Sequence, residues 1–285
     1  MQAAGVKLAA GLHIVSTPIG NLRDITLRAI DTLSGVDEVL AEDTRTARKL
    51  FDAYAIKTRL TAYHDHNGAA RRPELLAKLQ DGARIALISD AGTPLVSDPG
   101  WKLVHEAAAE GIEIIPVPGA SAMLAGLVKS ALPSDKFLFA GFLPPKKGAR
   151  QKALAALVGV PATLIFYESG PRLVASLADM RDCLGAGRSG SVTRELTKLF
   201  EEARGGTLAD LAEHYEITGK PKGEIVVLVG PPEADQAPTD DVLQAALVTA
   251  LETQSTKAAA NEVAARYNLP KRDVYQLALD LKKGG

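Results

Sequence analysis

The sequence predicts an α/β protein: a parallel-sheet N-terminal domain, a second domain with a mixed sheet, and a small C-terminal helical appendage. Three observations carry this prediction. Apolar runs at His13 to Asn21 (H-I-V-S-T-P-I-G-N), Ile85 to Pro94 and Ile114 to Ala122 each break into a turn built from Gly, Pro, Ser or Asp. A short β-branched run ending this way reads as a buried parallel strand whose carboxyl end opens into a loop. Strand and helix signals alternate along the chain, as a parallel sheet with crossover helices requires. The composition then shifts at Pro231 to Thr239 (P-P-E-A-D-Q-A-P-T), a linker after which only helical periodicity follows.

The elements follow in order. A strand near 12–16 passes through Thr17-Pro18-Ile19-Gly20-Asn21 to a helix near 26–34, with Asp24 or Thr26 as its cap. The strand Glu38 to Ala41 precedes Glu42-Asp43-Thr44-Arg45 and an amphipathic helix, and the strand Arg59 to Ala62 ends at Tyr63-His64-Asp65-His66-Asn67. A helix near 71–81 returns to a strand at 84–89, and Trp101 to Glu110 crosses to the strand at 112–117. Gly119 begins a helix of small residues, and Leu132-Pro133-Ser134-Asp135 marks a domain boundary. Strand character resumes at Phe137 to Phe142 and is followed by a basic loop, Pro144 to Arg150. Further strands are expected at 162–167, 190–193 and 224–229, with helices near 149–157, 171–183 and 207–215. Helical patterns at 240–252, 256–266 and 271–282 close the chain, the last two joined by Tyr267-Asn268-Leu269-Pro270 in the outline of a helix-turn-helix. The expected domains are therefore 1–132, 133–232 and 239–285.

Composition narrows the class of function. No apolar run approaches the roughly 18–20 residues of a membrane span, and residues 1–12 lack the continuous block of a secretory signal. Cys183 is the single cysteine, which rules out an intrachain disulfide and suits a reducing cytoplasm. A net charge of −1 argues against sequence-blind nucleic-acid binding over the whole surface. Local basic clusters remain at Lys146, Lys147, Arg150 and Lys152 and from Lys257 onward, each readable as a phosphate contact or as solvated surface. In an open α/β sheet, ligands sit outside the carboxyl ends of the strands. Small residues at three such ends imply close approach of backbone to a nucleotide-like ligand.

Particular stretches carry a family resemblance: S-T-P-I-G-N-L-R-D-I-T (16–26), A-E-D-T-R-T-A-R-K-L (41–50), S-D-A-G-T-P-L-V-S-D-P-G (89–100) and P-V-P-G-A-S-A (116–122), with the Phe142-Leu143-Pro144 loop, F-Y-E-S (166–169) and R-E-L-T-K (194–198). Together they resemble the tetrapyrrole-methylase superfamily and, within it, the ribosomal RNA small-subunit methyltransferase I family, along essentially the whole chain. The resemblance implies a two-domain tetrapyrrole-methylase-like fold, S-adenosylmethionine as methyl donor in the cleft between the domains, and a homodimer. It also implies 2′-O-methylation of a cytidine in 16S ribosomal RNA, hence the small ribosomal subunit as partner. It places the donor against Pro18 and Ile19, Asp90 and Thr93, Ser121 and Ala122, and Tyr167, with Leu196 and Gly223 following.

Methyl transfer from a sulfonium depends on alignment more than on acid–base machinery. A ribose hydroxyl is nonetheless a poor nucleophile, so a base or strong acceptor would help. Glu42, Asp43, His64, Glu168 and Glu195 fall near strand ends; Asp43, Glu168 and Glu195 are the assigned catalytic candidates. Glu168 and Glu195 have a structural alternative as ion-pair partners of Arg172 and Arg194, Asp90 as an Asx-turn partner of Gly92, and Ser121 as a helix cap. Lys146, Lys147, Arg150, Lys271 and Arg272 are the candidate RNA contacts. His64 and His66 lack a ligand frame, and no metal is expected. Two other functions remain open: methylation of a tetrapyrrole or corrinoid, and a non-catalytic nucleic-acid-binding regulator.

Overall fold

The computed structural model describes residues 8–97, 100–232, 240–251, 254–266 and 271–284. The chain divides into two compact units, Met1–Pro231 and Pro232–Gly285. In the first unit, β1 (Gly11–Val15), β2 (Glu38–Ala41), β3 (Leu60–Ala62), β4 (Arg84–Ile88) and β5 (Ile114–Val117) form one sheet in the order β3-β2-β4-β1-β5. All its pairings are parallel. The three apolar runs are thus neighbours: β1 lies between β4 and β5, and their carboxyl ends open on one edge.

The sheet is buried on both faces, which explains why its strands read as continuous apolar runs rather than alternating ones. Val15, Val39, Ala41, Ala86 and Ile88 pack against α1 (Leu27–Gly35) and α2 (Thr44–Ala53). Leu12, Ile14, Leu40, Ile85 and Leu87 face α3 (Asp65–Gln80) and α4 (Trp101–Ala109). Thr26 caps α1, its hydroxyl accepting from Ala29 N–H at 3.1 Å. Helix α3 starts at Asp65, earlier than expected. Asn67 Oδ1 accepts the His64 N–H at 2.9 Å and its Nδ2 donates to Ala62 O at 3.0 Å, turning a loop-like composition into a first helical turn.

Helix α5 (Ala122–Ser130) leads to β6 (Phe137–Phe142), which opens the second sheet. That sheet also contains β7 (Thr163–Ser169), β8 (Ser189–Arg194), β9 (Glu202–Thr207) and β10 (Glu224–Val229), in the order β6-β7-β10-β8-β9. Only β6·β7 is parallel, so the sheet is mixed. Strand β9 was not expected: E-A-R-G-G-T has little β propensity, and pairing with β8 imposes its extension. Helices α6 (Lys147–Ala155), α7 (Gly170–Leu184) and α8 (Leu208–Thr218) cover one face. Helix α5 covers part of the other, where Leu127 packs with Ile165, Val226, Leu228 and Ile19 from the β1 turn. A Cβ at Gly126 would lie 3.1 Å from Val226 and 3.3 Å from Thr193, so small residues let α5 seat closely on this sheet.

In the second unit, α9 (Asp240–Leu251), α10 (Thr256–Arg266) and α11 (Lys271–Gly284) bury Leu243, Leu247, Ala259, Val263, Ala264, Val274 and Ala278 in a core of their own. Ala258 is exposed and Ala260 takes the buried position beside Ala259. The expected turn at 267–270 lies outside the described residues.

Candidate active site

The turns after β1, β4 and β5 are tied to one another. Thr17 and Gly92 exchange backbone hydrogen bonds at 2.8 and 3.1 Å. Thr93 Oγ1 lies 3.1 Å from Ser16 Oγ and donates to Ala120 O at 3.3 Å, so one side chain bridges all three strand ends. The turns thereby wall a cavity of about 360 Å³, within the ~300–1,000 Å³ usual for small-molecule sites.

Ile19, Thr93, Ser121 and Ala122 line this cavity from the first sheet's side, and Tyr167, Leu196 and Gly223 from the second's. Ser121 is the N-cap of α5, but its hydroxyl makes no cap hydrogen bond, and the helix N-terminus opens on the cavity. Tyr167 packs edge-on against Phe139 and Phe142, with ring centroids 4.7 and 5.6 Å away, and forms an aromatic wall.

Two residues expected to contact the donor, Pro18 and Asp90, are not part of this lining. Pro18 and Asp90 line a separate depression with Thr46, Lys49 and Lys198, reached past Ile19 and Ala91. Asp90 is exposed, and its Oδ1 accepts the Asp43 N–H at 3.0 Å, which ties the end of β4 to the start of α2.

Residues 11–212 match the family of Tetrapyrrole (Corrin/Porphyrin) Methylases, and residues 235–282 match the RsmI C-terminal HTH domain. A ribosomal RNA small subunit methyltransferase I of Mesorhizobium japonicum is 54% identical over 275 residues, covering 96% of this chain and 93% of the relative. Its namesake in Synechocystis is 44% identical, covering 96% and 99%. This chain belongs to the ribosomal RNA small subunit methyltransferase I family. Among solved structures, a diphthine synthase aligns at TM-score 0.60 and 15% identity, covering 77% of this chain and 89% of its own. Uroporphyrin-III C-methyl transferase from Thermus thermophilus, complexed with S-adenyl homocysteine, aligns at 0.55 and 19%, covering 77% and 97%. Both show the fold.

In this family member the three candidate catalytic carboxylates are all engaged. Glu168 is buried; its Oε2 accepts the Ser176 hydroxyl of α7 at 2.5 Å, its Oε1 accepts the Ser169 N–H at 2.8 Å, and Arg172 Nε lies 3.4 Å away. Glu168 is among the residues lining the cavity, with its carboxylate bonded to Ser176 of α7. Glu195 pairs with Lys198 at 2.8 Å, not with Arg194, which pairs with Glu202 at 2.9 Å. The Lys198 hydrogen bond holds the Glu195 carboxyl below the usual range, and Glu195 Oε1 also accepts the Glu224 N–H at 3.2 Å. Asp43 caps α2, and its hydrogen bond from Arg45 lowers its carboxyl to about 2. Asp43 and Glu195, stabilised in their charged forms, are weak proton acceptors.

The basic cluster also divides. Lys146 and Lys147 are exposed at the N-terminus of α6. Arg150, expected to contact RNA, is buried: Nη2 and Nε each lie 2.6 Å from Asp179 Oδ2, and Nη1 donates to Pro145 O at 3.2 Å. The Asp179 carboxylate of α7 draws its guanidinium into the core, away from the exposed lysines. Lys271 and Arg272 are exposed at the start of α11. The cavity also draws on Val96, Ser97 and Phe142, which sequence reasoning did not assign. An aromatic residue at a strand end was the available signal for Phe142, 56% exposed. No group of three or more His, Cys, Asp or Glu that could hold a metal occurs among the described residues, nor any helix long and apolar enough to cross a membrane.

Proposed function

We propose that this chain transfers a methyl group from S-adenosylmethionine to the ribose 2′-hydroxyl of a cytidine in 16S ribosomal RNA of the small ribosomal subunit. The observation that carries the reading is the convergence of Ile19, Thr93, Ser121, Ala122, Tyr167, Leu196 and Gly223 on one cavity, in a chain whose relatives bear the small-subunit name. The α5 N-terminus, with its unsatisfied N–H groups and partial positive charge, suits the donor's carboxylate. Tyr167 and Phe142 suit the adenine face.

In the reaction the acceptor oxygen displaces the sulfur in line. The C–O bond forms as the C–S bond breaks, the hydroxyl proton passes to solvent or substrate, and S-adenosylhomocysteine leaves. Positioning supplies most of the rate, because the donor brings its own activated methyl group.

Lys146 and Lys147 support the RNA reading. Two cations at a helix N-terminus oppose the macrodipole, an arrangement that a bound phosphate would relieve. Lys271 and Arg272 offer the same chemistry on the C-terminal helices. Exposed Leu124, Val128, Leu199 and Phe200, on segments linked by the 2.7 Å Lys129–Glu201 ion pair, support a homodimer. RNA of this kind places the protein in the cytoplasm.

The experiment is transfer of label from S-adenosylmethionine, offering isolated small subunits and uroporphyrinogen in parallel. Label in the subunit RNA is the expected result; label in the tetrapyrrole contradicts the proposal.

A further inference from the structure

The carboxyl edge of the first sheet carries another cavity, of about 730 Å³, unused by the donor. Glu42, His64, Arg72, Ser97, Trp101 and Lys102 line it. Ser97 also lines the donor cavity, so the two cavities meet at one residue. That junction is a left-handed stretch of backbone, with φ 73° at Leu95 and 64° at Ser97. Such conformations are costly for residues with a Cβ and concentrate where a ligand is clamped.

The lining has two chemistries. Trp101 is 61% exposed, with one face stacked on His105 at 5.0 Å and 17°. An indole held this way is a ready platform for an unstacked base. The N-termini of α3 and α4 both open here, since their caps His64 and Gly100 belong to the lining. Lys102 makes no ion pair among the described residues, while Arg72 is steadied by Glu106 at 2.8 Å. Two helix N-termini and two cations define an anion site. His64 adds an Nδ1 shielded from solvent at the same helix start. A flat aromatic platform beside an anion site matches a single nucleotide.

We propose that this cavity receives the acceptor nucleotide turned out of the RNA, its base stacked on Trp101 and its phosphate near Lys102 and the α3 and α4 N-termini, with the ribose directed past Ser97 toward the donor. The assignment rests on the functional reading above and names where its substrate sits. Extruding a nucleotide is the general solution when the target atom is inaccessible within structured nucleic acid.

The test uses the full-length protein and small ribosomal subunits bearing the unmethylated acceptor. Label transfer by the wild type comes first; its failure would defeat the functional reading and is distinct from failure of the pocket. Given transfer, Trp101→Ala lowers kcat/KM for the subunit tenfold or more, about 1.4 kcal/mol, chiefly through KM. Trp101→Phe keeps most of the rate because a phenyl ring still stacks, and donor affinity by calorimetry stays within about twofold in both. Trp101 is the chain's single tryptophan, so its emission in the wild type falls as subunit RNA binds, which reads the contact even where the alanine variant folds poorly. Wild-type kinetics in Trp101→Ala, or unchanged emission at saturating RNA, overturns the assignment.

Discussion

Gly223 shows how closely the cavity proposed for the donor is built. It holds φ at 100°, and a Cβ there would lie 2.4 Å from Glu195 Oε1 and 2.5 Å from its Cδ. Gly223→Ala must therefore displace the carboxylate that clamps Lys198 and the start of β10, and we expect calorimetry to show donor affinity reduced tenfold or more. Asp90→Ala is the contrast: its carboxylate serves the Asp43 N–H outside the cavity, so donor affinity should stay within about twofold. Asp43 itself answers to pH. Its folded value of about 2 lies below the ordinary 3.8, so the ionised cap contributes fully above about pH 3.8 and its contribution fades as pH falls through about 2. Asp43→Asn keeps the cap oxygen but not the charge. Thermal melts of the two proteins should differ above pH 4 and converge near pH 2. The small residues at the strand ends, Thr93, Ser121 and Ala122, were legible as positions that meet on one cavity. The sequence did not show that Asp90 would accept the Asp43 N–H or that the Glu168 carboxylate would bond Ser176 of α7, because no pattern along the chain says which neighbour a carboxylate meets.

Helix α6 separates stability from recognition within one turn. Arg150 and Asp179 form a buried pair, and removing one partner leaves an uncompensated charge. Arg150→Ala should therefore cost about 3 kcal/mol or more in chemical denaturation. Lys146→Ala with Lys147→Ala should change stability by less than about 0.5 kcal/mol, as exposed substitutions do, yet weaken RNA binding and flatten its dependence on salt. An unchanged salt slope would make these lysines ordinary surface. The parallel strands β1, β4 and β5 were legible because burial on both faces forces runs of Val, Ile and Leu. Strand β9 was not, since an exposed edge strand with Gly205 and Gly206 takes its conformation from β8. The first turn of α3 was hidden for a related reason: D-H-N-G reads as a loop until Asn67 is seen bonding both His64 and Ala62.

For the whole molecule, every residue lining the cavity proposed for the donor lies between Ile19 and Val226, while the C-terminal helices hold a core of their own. Truncation after Pro232 should leave a folded protein with unaltered donor affinity but poor turnover of the ribosomal subunit. Full activity of the truncated chain would assign those helices another purpose. The alternation of strands and helices made both sheets foreseeable, and the Pro-rich linker made the appendage so. The pairing order of the second sheet required long-range contacts that local pattern does not encode. If the two cavities bring a methyl donor and an RNA ribose together, nucleoside mass spectrometry of 16S RNA, digested after unmethylated small subunits have been incubated with the protein and isotope-labelled S-adenosylmethionine, finds the label in 2′-O-methylcytidine, about one per subunit. Label on a base, or RNA left unlabelled, would show that they do not.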